Sequence, residues 1–446
     1  MPNTQVAFKK LLLTHLEVIL SRLARDPAYG FVDTKFSTLD GRDFPDTDPI
    51  RGRNAVYGWI QARALEALAE HGRWLRSTSS VEVAQRDNLL GQLQNLLPGL
   101  VERLTSIHDR MGGHLPFVFR PDGTPLAIDH NGKFQLAPPP AASTYGDLFF
   151  AKGLLAAGGF LSQEQIRKDG FALLARVLDD IEANRFRSNQ QALNPPYRSE
   201  WTSSAQEEGP WMIALGALEL AYRESGDVQW LNRALRFIER LVERHVNRGQ
   251  FSELQPLDFV ETLAPDGRPL IRSGRVVCIP GHALEFVGLS AKILLTVRIT
   301  PSLPYRSQET ARQVAELLPE LFVHIFELGY RSKPGGLVAS VDLLTRQALE
   351  ASLPWWAVPE ALRAAALLLR LAPDSPKAPE IAEAQSRLLN DLLTRWVNPK
   401  AYSWLFQTRD AEGNPVDRIP ATPDADPAYH TGLSLLDFLQ TQDEER

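Results

Sequence analysis

His282 lies in Pro280-Gly281-His282-Ala283-Leu284-Glu285, where a loop gives way to an apolar helical run. Imidazole titrates near neutral pH, and Glu285, three residues on, shares its helical face and can hold its tautomer and tune its basicity. A structural His–Glu pair has the same spacing, so the pair takes its meaning from what accompanies it. Trp59-Ile60-Gln61-Ala62-Arg63 puts a guanidinium inside an apolar helix, suited to an oxyanion or a substrate hydroxyl, or else to a structural carboxylate. Trp355-Trp356, followed by Pro359-Glu360-Ala361-Leu362, joins flat apolar platforms for the C–H faces of sugar rings to a carboxylate. Core tryptophans and a glutamate that merely starts a helix would read the same way. Tyr429-His430 precedes the last helical run, where the plain alternative is an exposed capping histidine. Together these clusters supply two imidazoles, two carboxylates, a guanidinium and aromatic walls. That set fits proton abstraction beside a carbonyl, in which one base removes a proton and another acid returns one.

The elements that must position these groups are helical. Apolar positions recur at helical spacing over 5–25, 54–75, 81–107, 145–160, 163–183, 206–224, 228–246, 283–296, 308–328, 356–371, 379–396 and 430–439. Pro98-Gly99 is expected to kink or divide the third of these, and Ser162, with Gln165 three residues on, to cap the fifth. Pro121-Asp122-Gly123 is a turn signal that makes a small hairpin, and strand is otherwise only hinted at. Twelve helices joined alternately by short turns and long Gly/Pro-bearing loops predict six helix hairpins in a closed all-α toroid. The long loops would build a cleft on one rim. No fixed sequence period supports an open solenoid.

The chain has 446 residues, 44% hydrophobic and 23% charged, with net charge -6 and no basic block. Length alone allows two or three domains, but the helical pattern predicts one domain over 1–446. Nucleic acid is not an expected partner. The Lys9-Lys10 and Leu11-Leu12-Leu13 run is interrupted at His15 and Glu17 before it can serve as a secretion signal, and no apolar stretch approaches the ~20 residues of a membrane span. One cysteine, Cys278, excludes an internal disulfide, and the expectation is a cytoplasmic protein. Cys278 lies near His282, but Val276, Val277 and Ile279 around it predict a packed, inert thiol.

In order along nearly the whole chain, these motifs resemble the N-acylglucosamine 2-epimerase and cellobiose 2-epimerase superfamily, which also holds mannose and related aldose–ketose isomerases. The resemblance is carried by Trp59 to Arg63, Asp109-Arg110-Met111-Gly112-Gly113, Pro121-Asp122-Gly123, Tyr145-Gly146-Asp147-Leu148-Phe149, Gly274-Arg275 with Pro280 to Glu285, Trp355 to Leu362, and His430. It implies an (α/α)6 barrel and a sugar 2-epimerase or aldose–ketose isomerase. His282 and His430 would be the acid–base pair on opposite faces of C2. Arg63 would bind the C1–C2 oxygens and stabilise an enediolate, and Glu285 and Glu360 would orient histidine and substrate. Trp59, Tyr57, Trp211, Trp355, Trp356 and Asp147 are the expected substrate-binding residues, with a small sugar as partner and a monomeric or homodimeric state. No metal or redox cofactor is expected, and no metal-binding, phosphate-binding or nucleophile-elbow motif occurs in the sequence.

One position departs from the family pattern. Aligned on Ser225-Gly226-Asp227, the family's third histidine falls at Ile213, and none of the nine histidines lies near it in sequence. This keeps two other readings open: a carbohydrate-binding member without catalysis, and a glycoside hydrolase or lyase. The latter needs two opposed carboxylates about 5–10 Å apart, one of which Glu207-Glu208 could supply.

Overall fold

In a computed structural model describing residues 2–195, 197, 206–300 and 302–443, the helical periodicities become twelve α-helices. The chain forms two compact units: Met1–Glu200 with Asn398–Leu405 and Asp417–Leu436, and Trp201–Val397 with Phe406–Val416 and Asp437–Arg446. The first holds α1 (Pro2–Arg25), α2 (Gly58–Ser77), α3 (Val83–Arg110), α4 (Tyr145–Leu161) and α5 (Glu164–Glu182). The second holds α6 (Gly209–Ser225), α7 (Val228–His245), α8 (Pro280–Arg298), α9 (Tyr305–Gly329), α10 (Ala357–Leu371) and α11 (Ala378–Asp391). Helix α12 (His430–Asp443) starts in the first unit and ends in the second.

Helices of two kinds alternate. In α7 the buried positions Leu231, Ala234, Leu235, Phe237, Ile238, Leu241, Val242 and His245 form one stripe, and most of the other positions are polar. Helix α5 repeats this with Gly170, Leu173, Leu174, Val177, Leu178 and Ile181. By contrast, α4, α8 and α10 are buried around most of their circumference. Within the first unit α2 packs on α3 and α4, and α4 on α5; within the second, α6 meets α7 and α8, and α8 meets α9 and α10. Each fully buried Leu or Phe of such a helix contributes roughly 1.5–3 kcal/mol. The α2–α4 contact is close because Gly153 has no side chain. A Cβ there would lie 2.8 Å from Leu65 Cβ and 2.9 Å from the Ala62 carbonyl oxygen.

Several expectations change in detail. Helix α3 runs unbroken through Pro98 from Val83 to Arg110. Ser162 does not start α5; it closes α4 in the left-handed conformation (φ 57°), and Gln163 is the residue before α5. The need of α4 for a left-handed terminator outweighs the capping preference of the serine. The turn at Pro121-Asp122-Gly123 does make a hairpin, with Val118 opposite Leu126 and Phe119 opposite Pro125. It belongs to a four-stranded sheet that includes Val56–Tyr57, the strand leading into α2. Short strands are more numerous than the sequence hinted, and most span two or three residues. Among the described residues, no helix is long and apolar enough to cross a membrane.

Candidate active site

In the second unit the site grows from three chain segments, two of which enter helices. The strand Gln206–Glu207 pairs with Thr262–Leu263 and leads through Glu208 into α6. The Glu208 N–H donates to the Glu261 carbonyl at 3.2 Å, and the Glu261 N–H to that of Val277 at 3.0 Å. Val277–Cys278 then runs into α8, whose first turn carries Pro280 and His282. These backbone pairings bring residues from far apart in sequence to one imidazole. His282 Nδ1 lies 2.9 Å from Glu261 Oε1 and 3.3 Å from Glu208 Oε1. The imidazole stacks on Trp356, with centroids 5.0 Å apart and planes at 29°. Gly281 permits this stacking, since a Cβ there would lie 2.5 Å from the indole.

The electrostatics follow from that geometry. Burial alone would lower the His282 pKa, but the Glu261 and Glu208 carboxylates overcome it and hold the value well above the ordinary 6.5. Burial, with Glu261 and Glu208 beside it, pushes Glu207 up to about 8. Burial and Glu261 push Glu208 up to about 7 against the pull of His282. Each group therefore binds its proton more tightly folded than unfolded. The two carboxyls contribute stability fully below about 4.5 and lose it as pH rises through about 7 and 8; His282 contributes below 6.5 and loses it above. All three signs agree, so the melting temperature should fall between pH 5 and pH 9, and Glu207→Gln should flatten that slope in calorimetric scans. An unchanged slope would place the titrating groups elsewhere.

Glu285 and Glu360, both buried, bring carboxylate oxygens within 4.8 Å of one another. Glu360 is paired with Arg363, which also faces Asp437 at 3.8 Å. Trp355 is buried and Trp356 half-buried. Trp211 is turned the other way, packed 4.6 Å from Phe237 of α7 with Arg240 over its ring, so the structure does not gather it with His282. Glu208, Glu261 and His282 each present a ligand atom within a 4.8 Å group, a donor set that a divalent cation could use. The 2.9 Å contact at Nδ1 is equally that of an N–H···O hydrogen bond.

The first unit gathers a second group. Arg63 lies with its guanidinium carbon 4.1 Å from the Phe149 ring centroid, 5.3 Å from that of Tyr429 and 5.5 Å from that of Trp59. Trp59 Nε1 donates to Asn189 Oδ1 at 3.0 Å. Buried Lys152 reaches Glu66 at 3.0 Å and donates to the Tyr429 hydroxyl at 2.5 Å. Burial and Glu66 push the Tyr429 phenol up to about 12. Asp426 accepts the backbone N–H groups of Tyr429 and Thr431 at 2.9 and 2.8 Å and so starts α12. His430 is 8% exposed, which removes the exposed-cap alternative. Tyr57 and Asp147 are taken up by structure: the Tyr57 hydroxyl donates to the Ile50 carbonyl at 2.9 Å. Asp147 accepts from the Leu115 and Thr144 N–H groups at 2.7 and 2.9 Å and contacts His114 Nδ1 at 3.0 Å.

Glu261 is the residue that sequence reasoning passed over. Its only signal was a lone carboxylate within the apolar alternation Phe259-Val260-Glu261-Thr262-Leu263, 21 residues before His282. Glu208 was legible only as half of an acidic pair, and Asp426 as part of a Pro/Asp-rich loop. Cys278 is buried, as its apolar neighbours predicted, and burial raises its thiol pKa well above the ordinary value.

Comparison with known proteins places the chain. The model of the N-acylglucosamine 2-epimerase (GlcNAc 2-epimerase) family matches residues 142–432. A D-mannose isomerase of Pseudomonas cannabina pv. alisalensis is 26% identical over 216 residues, which is 45% of this chain and 48% of that protein, so the match spans about half the relative's length. The crystal structure of a D-mannose isomerase superposes with TM-score 0.63 at 14% identity, covering 96% of this chain and 97% of that one. A cellobiose 2-epimerase from Bacillus thermoamylovorans B4167 gives 0.67 at 15% identity, covering 99% and 100%. Together with the twelve helices, these likenesses show the all-α fold of the (α/α)6-barrel epimerases. The family match takes in His282, Glu208, Glu261, Glu285, Glu360 and His430, and with well over half its residues covered, the chain belongs to the N-acylglucosamine 2-epimerase family.

Proposed function

We propose that this protein is a carbohydrate isomerase that acts at C2 of an open-chain aldose through an enediolate. The observation that carries the reading is His282: its Nδ1 is held by the Glu261 and Glu208 carboxylates and its face lies on Trp356. An imidazole so fixed has its other nitrogen, Nε2, for proton exchange with a substrate, and the indole offers a surface for sugar C–H groups. In the reaction a base takes the C2 proton, the C–H electrons form the C1=C2 bond, and the carbonyl electrons move onto O1. Returning a proton to C2 from the opposite face gives the epimer; returning it to C1, with the carbonyl re-formed at C2, gives the ketose. His282 is one of the two groups that exchange protons, and the family resemblance assigns the other to His430. Arg63 would meet the charge that develops on O1 and O2, while Glu285 and Glu360 orient imidazole and substrate hydroxyls. The carboxyl groups of Glu208, Glu261, Glu285 and Glu360 surround this half of the chemistry and would meet a sulfonate or uronate unfavourably, so neutral sugars are favoured.

The test is an exchange assay in heavy water with mannose, glucose, N-acetylmannosamine, cellobiose and acidic aldoses, followed by proton NMR. Loss of the C2 proton signal and new anomeric resonances are expected with at least one neutral aldose. The product then separates epimerisation from isomerisation. Saturable sugar binding without exchange would replace this reading with a non-catalytic one, which Ile213 motivates. Release of reducing ends from an oligosaccharide would favour hydrolysis, with Glu207 as the proton-bearing acid.

A further inference from the structure

Two carboxylates, one buried and one half-buried, stand against one nitrogen of His282, from segments far from it in sequence. Glu261 Oε1 is at 2.9 Å from Nδ1 and Glu208 Oε1 at 3.3 Å, with Glu208 fully buried and Glu261 13% exposed at its side chain. Neither lies on α8, so neither serves that helix. Among the described residues, neither is hydrogen-bonded through its side chain to a helix cap, the ordinary structural use of such a carboxylate. Glu208 Oε2 and Glu261 Oε2 have no hydrogen-bond partner among the described residues. A single Nδ1–H cannot satisfy two carboxylates, so the arrangement is costly unless the group holds an extra proton or stays charged. Such a cost at one atom points to a task at the other end of the ring.

We propose that Glu208 and Glu261 form a paired positioning clamp on His282, which pins the proton on Nδ1, presents Nε2 to the substrate, and delivers the ring in its protonated form at rest. This rests on His282 being a proton-transfer group of the proposed reaction. Its consequence is directional. A ring that arrives bearing both protons gives one to the substrate before it takes one, so His282 enters as the acid and the first proton leaves C2 to the other histidine. Glu261 accepts the Nδ1 proton as a hydrogen bond. Glu208 stands behind it; after Nε2 has given its proton to the substrate, the neutral ring keeps the Nδ1 proton in the hydrogen bond to Glu261, and Nε2 regains a proton from solvent before the next turnover. The other charged groups set around His282 are Glu207 and Glu285 on the acidic side and Arg272 facing Glu207, while α10 offers the Trp356 face and, further along, the Glu360–Arg363 pair.

The test uses the full-length protein labelled with 15N-histidine, and Glu208→Gln, Glu261→Gln and Glu261→Asp beside wild type. His282 resonances, assigned by their loss in His282→Asn, report protonation of each ring nitrogen without any turnover. Wild type should keep both nitrogens protonated beyond neutral pH, and each Gln variant should move that titration down by a pH unit or more. With an aldose that exchanges, Glu261→Gln should lower kcat about 10–100-fold, with KM within about three-fold, in the range seen when the partner orienting a functional histidine is removed. The pH profile should shift the same way, and Glu261→Asp should recover part of the rate. If neither Gln variant moves the ring titration, the clamp is overturned, whatever the activity. If the titration moves but no sugar exchanges in wild type, the clamp stands and the isomerase reading falls.

Discussion

His282→Asn should lower kcat for C2 proton exchange by about 10²–10⁴-fold, the usual yield of a positioned acid–base side chain, while KM stays within a few-fold. Asparagine keeps a donor near Glu261 and is small enough to leave Trp356 in place, so the sugar platform survives while the proton carrier is gone. The loss corresponds to about 2.7–5.5 kcal/mol in the barrier. Since the substitution also removes a cation from beside Glu208, that carboxyl should hold its proton to higher pH, and the melting temperature should be compared at pH 6 and pH 8 to separate folding from chemistry. Turnover within about three-fold of wild type, in a protein of normal melting temperature, would remove His282 from the mechanism and the enediolate reading with it.

Arg63→Met is expected to cost about 10²–10³-fold in kcat, the range measured when one donor to a developing oxyanion is deleted. Methionine fills most of the space among Trp59, Phe149 and Tyr429, and the cation–ring attraction it gives up is about 0.5–2 kcal/mol. A melting-temperature measurement beside the kinetics separates any loss of folding from the loss of rate. Arg63→Lys keeps the charge but loses the planar fork that can span two vicinal oxygens, so it should rescue only part of the rate. A large fall in stability with unchanged turnover per folded molecule would instead make Arg63 a structural cation. Since Arg63 lies outside the family match over 142–432, this variant examines the part of the reading that rests on the sequence motif alone.

How far the sequence was legible depends on the distance over which each feature is specified. Helices such as α7 declare themselves because a stripe at Leu231, Leu235, Ile238 and Val242 repeats over 18 residues. The strands did not, since two residues such as Val277–Cys278 are too few to display any period. Ser162 was misplaced because its side chain suits a helix start, whereas its backbone was claimed by the end of α4. His282 was found from its local motif. Its partners Glu208 and Glu261 were not, because they reach it through strand pairing across an irregular segment, which no local spacing encodes. Tyr57 and Asp147 show the converse: residue type and motif position mark them as substrate-binding candidates, while the hydrogen bonds that engage them within the fold, one of them between residues 32 apart, have no local signal.

The buried thiol of Cys278 has a practical side for anyone wishing to watch this protein at work. It is the chain's one sulfhydryl, it has no exposed area, and its pKa is raised well above that of a free thiol. Maleimides and other alkylating dyes should pass over it in the folded state. A cysteine introduced at an exposed position such as Ser80 or Asp266 would then be the single point of attachment for a fluorophore or spin label. Distances and motions could be followed in the native background, without first stripping the chain of competing sulfurs.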